Sequence, residues 1–108
     1  MGYQFKGAYL VLPIGKELDH HRADQLQNTM NQVKKERGFR HIIFDFKETE
    51  FMDSSGVGMI ISRYKETTLL GGSVCVAGAA PIIERLFYVS GLHKIIRMYP
   101  EVEAVFHE

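Results

Sequence analysis

The chain has 108 residues, 45% of them hydrophobic and 24% charged, which is enough to bury a core without a metal ion or a disulfide. Thirteen basic and thirteen acidic residues cancel, so no overall charge favours binding to nucleic acid or to an anionic membrane. The single cysteine, Cys75, excludes an internal disulfide, and no stretch reads as a signal peptide or a membrane span. We therefore expect one soluble, cytoplasmic domain over residues 1–108.

A hairpin is predicted at the start of the chain. Residues 3 to 6 and 9 to 14 read as two strands that are joined at Gly7. Pro13 lies late in the second strand and removes one hydrogen-bond donor from it. This strand is therefore expected to loosen near its end.

A helix and a buried strand follow the hairpin. Apolar residues recur at helical spacing from about residue 20 to residue 37, with Asp19 as the candidate N-cap and Gly38 as the stop. Residues 41 to 46 form a nearly continuous apolar run. Such a run is typical of a central strand that is covered on both faces.

The second half of the chain alternates helices and strands. Periodicity and the positions of glycine and proline predict a helix from Asp53 to Gly71, a strand over residues 73 to 77, a helix from Pro81 to Gly91, a strand over residues 95 to 99 and a short helix from Pro100. The side chains expected on the apolar stripe of the first of these helices are Val57, Ile60, Ile61, Tyr64 and Thr68. Arg63, Tyr64 and Lys65 are expected to form a half-solvated face. Ile82, Ile83, Leu86, Phe87 and Val89 are expected to share a face of the next helix.

This order of elements predicts an α/β fold. The sheet should be mixed, with about five strands that are parallel apart from the first, and about four helices joined by right-handed crossovers. In open sheets of this kind, the loops beyond the carboxyl ends of the strands carry function. The turn at Asp53 is such a loop.

The segment Phe51-Met52-Asp53-Ser54-Ser55-Gly56-Val57-Gly58 is the most informative motif. It lies where a loop becomes a helix, so free N–H groups and the positive end of the helix dipole converge there. Ser54 is therefore either a plain N-cap or a phosphoacceptor, since both roles suit an oxygen in that position. Ser55 is expected to stabilise the turn, and Asp53 is expected to cap the helix, to contact a partner, or both.

Glycines and histidines near this motif invite other interpretations. Gly56 and Gly58 are poor helix formers and imply a close approach, either by the backbone of a partner or by a neighbouring strand. They lack the third glycine of a dinucleotide fingerprint and the Gly-Lys-Ser/Thr of a phosphate-binding loop, so no cofactor is expected. Adjacent His20 and His21 point about 100° apart on a helix, which favours a partner contact over a metal site.

By these residues the chain resembles the STAS-domain anti-sigma factor antagonists. The motif at residues 51–58 is the most specific for that family, and three further segments are collinear with it: Glu17-Leu18-Asp19-His20-His21, Arg63-Tyr64-Lys65, and Arg85-Leu86-Phe87 followed by Ser90-Gly91-Leu92 and Lys94-Ile95-Ile96. The segment at residues 17–21 and the one that begins at Arg85 favour the sporulation members, which act in the sigma-F pathway, over the general-stress members.

The resemblance implies a regulator with no catalysis of its own. Unphosphorylated members bind an anti-sigma factor that is also a serine kinase, and so release the sigma factor that it holds. The kinase uses ATP to phosphorylate the serine after the aspartate, here Ser54, and a dedicated serine phosphatase reverses the mark. Partner contacts are expected at Asp19, His20, His21, Asp53, Ser55 and Gly56. The free protein is expected to be a monomer.

Other functions stay open at the level of sequence. A general-stress-type antagonist or a nucleotide-sensing STAS module would share most of these features, although no phosphate-cradling loop supports nucleotide binding. A hydrolase that uses Ser54 as its nucleophile would need a Gly-x-Ser-x-Gly elbow and a histidine base, and the sequence supplies neither in a recognisable place.

Overall fold

The computed structural model describes residues 2–107. Its five-stranded sheet consists of β1 (Gln4–Lys6), β2 (Tyr9–Pro13), β4 (His41–Asp45), β6 (Ser73–Ala77) and β7 (Arg97–Tyr99). The strands lie in the order β1-β2-β4-β6-β7, with β1 antiparallel to β2 and the remaining pairs parallel. This arrangement confirms the predicted mixed sheet, and the last strand begins two residues later than predicted because a 3₁₀ turn, Leu92–Lys94, precedes it.

A second, two-stranded parallel sheet was not predicted. It consists of β3 (Glu17–Leu18) and β5 (Phe51–Met52), which pair residue for residue. Backbone hydrogen bonds extend the pairing, from Glu50 N to Lys16 O at 2.7 Å and from Asp53 N to Leu18 O at 3.2 Å. A strand of two residues carries no periodicity for sequence analysis to detect.

Four helices complete the fold. They are α1 (His20–Glu36), α2 (Ser54–Leu69), α3 (Pro81–Ser90) and α4 (Val102–Val105). Buried side chains of α1, α2 and α3 join one core with alternate residues of the sheet, and α4 packs against the small cluster on the other face. Within residues 2–107, no helix is long and apolar enough to cross a membrane.

The predicted apolar stripe of α2 is confirmed except at Thr68, since Ile60 is fully buried and its neighbours on the stripe, Val57, Ile61 and Tyr64, pack against the core. The residues that are buried on α2 are Gly56, Met59, Ile60, Arg63 and Thr67. Thr68 is exposed instead, and its hydroxyl donates to the carbonyl of Tyr64 at 2.7 Å. Hydropathy could not indicate the burial of Gly56, Arg63 and Thr67, because none of the three has a large apolar side chain.

The predicted face of α3 is wrong at its edges. Ile83 and Phe87 are fully buried, and Phe87 contacts Phe46 edge to face with ring centroids 5.6 Å apart. Ile82 and Val89 are 62% and 75% exposed. The buried stripe of this helix is therefore narrower than its apolar composition suggests.

Candidate functional site

Asp53 caps α2. Its Oδ1 accepts hydrogen bonds from Ser55 N at 2.9 Å and from Gly56 N at 3.3 Å, and its carbonyl accepts from Val57 N at 3.2 Å. The plain N-cap interpretation of Ser54 is therefore wrong, since Ser54 is the first residue inside the helix. Ser55 stabilises the turn by donating its backbone N–H to Asp53.

Ser54 is free to react because the fold does not use its hydroxyl. The residue is exposed, and within residues 2–107 its Oγ has no hydrogen-bond partner. Ser55 beside it is half-buried. Of the two adjacent serines, Ser54 is the one that presents its hydroxyl to solvent at the positive end of a helix.

The β3–β5 ladder brings a second helix start to this place. Strand β3 leads directly into Asp19, which caps α1 by accepting a hydrogen bond from Arg22 N at 2.9 Å. Strand β5 leads in the same way into Asp53, and Asp53 N donates to Leu18 O. The two N-caps therefore follow paired strands, and each is followed by an exposed residue, His20 on α1 and Ser54 on α2.

The two glycines of the motif have different surroundings. A Cβ atom on Gly56 would lie 2.7 Å from Leu18 Cγ and 2.9 Å from Met52 Cγ, so this glycine lets α2 pack closely onto the β3–β5 ladder. Gly56 is buried, and the expectation that it forms part of a contact surface is therefore wrong. Gly58 is exposed, and a Cβ there would meet nothing within 4 Å. Packing within the chain does not explain Gly58.

The two histidines are exposed on the first turn of α1. His20 Nε2 lies 3.5 Å from Asp24 Oδ2, one turn further along the helix. Across residues 2–107, no three His, Cys, Asp or Glu side chains are grouped so that they could hold a metal ion. The arrangement of His20 and His21 is one of surface groups that a partner could contact.

Charge and apolar area surround the two helix starts. Lys16 and Glu50 flank the ladder, with Lys16 Nζ 4.0 Å from Glu50 Oε1. Phe51 on β5 is 49% exposed, which is unusual for an aromatic residue in a strand. Exposed charged and aromatic side chains thus lie on or next to the β3–β5 ladder that leads into the two helix starts.

Sequence reasoning missed the role of Arg63. It is 4% exposed, and its guanidinium donates to the side-chain oxygens of Gln27 and Asn31 on α1, with Arg63 NH2 2.9 Å from Asn31 Oδ1. Burial lowers the pKa of Arg63, and the carboxylate of Glu66 partly offsets this. The signal available beforehand was the position of Arg63 on the side of α2 opposite Ser54.

A serine–histidine contact lies at the other end of the sheet. Ser73 Oγ is 2.8 Å from His41 Nδ1, at the amino ends of β6 and β4. Burial, and then the charge of Arg40, lower the pKa of His41. This pair is far along the strands from Ser54 and gives that hydroxyl no base.

Known proteins with similar sequences indicate the family to which this chain belongs. The STAS-domain family model matches residues 3–105. The chain is 39% identical over 97 residues to the anti-sigma F factor antagonist of Paenibacillus polymyxa, an alignment that covers 89% of this chain and 83% of the relative. It is 30% identical over 83 residues to the anti-sigma F factor antagonist of Lysinibacillus sphaericus, covering 77% of this chain and 71% of that one.

Solved structures of the Bacillus protein SpoIIAA share the fold. The unphosphorylated form of this anti-sigma factor antagonist aligns with a TM-score of 0.79 and 28% identity, covering 95% of this chain and 92% of the other. The phosphorylated form aligns with a TM-score of 0.76 and 27% identity, covering 97% and 96%. The chain therefore belongs to the STAS-domain family and, within it, to the anti-sigma factor antagonists.

Proposed function

We propose that this protein is a phosphorylation-gated partner switch. In its unphosphorylated form it binds an anti-sigma factor that is also a serine kinase, and the sigma factor held by that kinase is released. The kinase transfers the γ-phosphoryl group of ATP to Ser54 Oγ, and ADP leaves. A serine phosphatase then hydrolyses the phosphate ester and restores the binding form.

The observation that carries this proposal is the state of Ser54. Its hydroxyl is exposed at the first position of α2, while Asp53 does the capping. A modification of Ser54 therefore leaves the cap intact. A phosphate there would gain from the positive end of the helix dipole, so the fold should survive it.

The effect on binding follows from the charge that the phosphate adds. Phosphorylation places about −1.5 to −2 charges on Ser54 at neutral pH, next to the carboxylate of Asp53. A partner packed on this surface would have to desolvate both groups together, which costs several kcal/mol. Because about 1.4 kcal/mol changes an affinity tenfold, this cost is enough to prevent binding.

The partner surface has two parts under this proposal. The start of α1 supplies Asp19, His20 and His21, and the start of α2 supplies Asp53 and Ser55. The β3–β5 ladder holds the two parts together. Phe51, which lies on that ladder and is 49% exposed, adds apolar area to this surface under the same proposal.

The sigma-F pathway is the proposed setting. Its support is that the relatives with 39% and 30% identity are both named anti-sigma F factor antagonists. Support for a phosphorylated state comes from SpoIIAA, for which a phosphorylated and an unphosphorylated form are both known.

The direct test is to incubate the chain with its cognate anti-sigma factor kinase and ATP, and to map the phosphate by mass spectrometry. We expect a single phosphate on Ser54 and none on Ser54→Ala, which should still bind the kinase. Ser54→Asp should remain folded and bind far more weakly. Ser62→Ala, at an exposed serine further along α2, is the matched control and should be phosphorylated normally. Phosphate on Ser55 of the native chain, or none at all, would refute the proposal.

A further inference from the structure

Arg63 joins α2 to α1 through side-chain hydrogen bonds. Arg63 Nε lies 2.9 Å from Gln27 Oε1, and Arg63 NH2 contacts both Gln27 Oε1 and Asn31 Oδ1. Two side chains on α1, one turn apart, therefore hold one guanidinium of α2. We call this group of Arg63, Gln27 and Asn31 the Arg63 clamp.

The Arg63 clamp is a costly way to join two helices. A buried cation is usually matched by a buried carboxylate, but here the acceptors are neutral carboxamides. The carboxylate of Glu66 is on α2 itself and half exposed, and its Oε2 lies 3.7 Å from Arg63 NH1. An apolar side chain of similar length would fill the same space without burying a charge. The arrangement is therefore better explained by a fixed orientation than by stability.

Helix geometry relates Arg63 to the two serines. Arg63 lies nine positions after Ser54 and eight after Ser55. At about 100° per residue, Arg63 points about 180° away from Ser54 but only about 80° away from Ser55. Holding Arg63 against α1 therefore turns Ser54 outward and Ser55 partly inward. This agrees with the structure, in which Ser54 is exposed and Ser55 is half-buried.

Besides Arg63, the residues buried on α2 are Gly56, Met59, Thr67 and the fully buried Ile60, whose apolar packing has less directional preference than a hydrogen bond. Gly56 has no side chain, Met59 is flexible, and Thr67 is small. Gly56 sets how closely α2 approaches the β3–β5 ladder, but it does not point in one direction as a guanidinium does. The hydrogen bonds of the Arg63 clamp are directional, since the planar guanidinium has donors in fixed positions.

We propose that Arg63 is a positioning residue that selects Ser54 over Ser55 for phosphorylation, because its bonds to Gln27 and Asn31 fix the rotation of α2. This inference rests on the proposed function for its kinase. The rotation itself is a property of the free protein and can be measured without the kinase.

The first experiment measures site selectivity. The kinase and ATP are incubated with the native chain, with Arg63→Met and with Arg63→Lys, and phosphate on Ser54 and Ser55 is counted by mass spectrometry. We expect the Ser54-to-Ser55 ratio to fall by roughly tenfold in Arg63→Met, the effect of losing a charged hydrogen bond. Arg63→Lys keeps the charge without the planar fork and should lie between the two. Ile60→Val, a buried truncation on the same helix, is the control for lost stability and should keep the native ratio.

The second experiment needs no kinase. Ser54→Cys and Ser55→Cys are made in a Cys75→Ala chain, with Arg63 or with Met at that position, and their reaction with a thiol reagent is timed. With Arg63 the thiol at position 54 should react much faster than the thiol at position 55. With Arg63→Met the ratio of the two rates should fall by roughly tenfold.

Unchanged ratios in Arg63→Met, or an equal fall in Ile60→Val, would overturn the role of Arg63. An Arg63→Lys chain further from native than Arg63→Met would do the same. If the native chain takes no phosphate on Ser54, the proposed function fails, and the thiol rates alone decide whether Arg63 sets the rotation of α2.

Discussion

The contrast between Gly56 and Gly58 gives a prediction whose size follows from the structure. A Cβ on Gly56 would lie 2.7 Å and 2.9 Å from two carbons of Leu18, whereas carbon atoms normally pack about 3.5–4.0 Å apart. Leu18 is 0% exposed and Met52 on the other side is 4% exposed, so neither side chain can move into solvent. Overpacking of this kind costs about 1–3 kcal/mol. Gly58→Ala has no such cost.

Comparing the two variants removes the effect of helix propensity. Replacing glycine by alanine within a helix stabilises it by about 0.5–1 kcal/mol, and both variants gain this. We therefore expect Gly58→Ala to be more stable than Gly56→Ala by about 1–3 kcal/mol, or about 4–8 °C in Tm for each kcal/mol. Guanidinium denaturation followed by circular dichroism measures the difference, provided that the m-values agree. Equal midpoints, or a more stable Gly56→Ala, would refute the packing role of Gly56.

Three further predictions concern single groups. Asp53→Ala should lower the free energy of unfolding by about 1 kcal/mol through loss of the N-cap, whereas Asp53→Asn should retain most of it in the same denaturation assay. The pKa of His41, measured by NMR, should lie below 6.5, and Arg40→Gln should raise it. Because the pKa is lower in the folded state, His41 contributes stability above pH 6.5 that is lost as the pH falls through its folded pKa. His41→Asn should flatten this dependence of the free energy of unfolding on pH. Gly58→Ala, although stabilising, should weaken calorimetric binding to the kinase if the partner approaches its bare face; unchanged affinity would exclude a close contact there.

Much of the five-stranded sheet could be predicted because its strands are long enough to show a pattern. The run from His41 to Asp45 is covered on both faces, and its apolar composition reports this directly. The two N-caps could also be predicted, since Asp19 and Asp53 each precede a helix and each accept hydrogen bonds from N–H groups of its first turn. Such strands and caps depend on residues that are close together in the sequence, so the sequence alone can indicate them.

Features that depend on distant contacts could not be predicted in the same way. The β3–β5 ladder pairs residues that are more than thirty positions apart in the sequence. Each strand has only two residues, so neither segment has a pattern that would predict the pairing. Arg63 was expected at a half-solvated face because arginine is rarely buried, and only its distant partners Gln27 and Asn31 make burial tolerable. For the candidate site, sequence identified the motif, and the fold supplied its neighbours.

The central claim is that phosphate on Ser54 prevents the anti-sigma factor kinase from docking. Isothermal titration calorimetry of the purified kinase with the unphosphorylated chain, and then with the chain carrying phosphate on Ser54, tests it most directly. The account predicts an affinity at least about a hundredfold lower for the phosphorylated form, the consequence of a cost of several kcal/mol. Equal affinity for the two forms would contradict it.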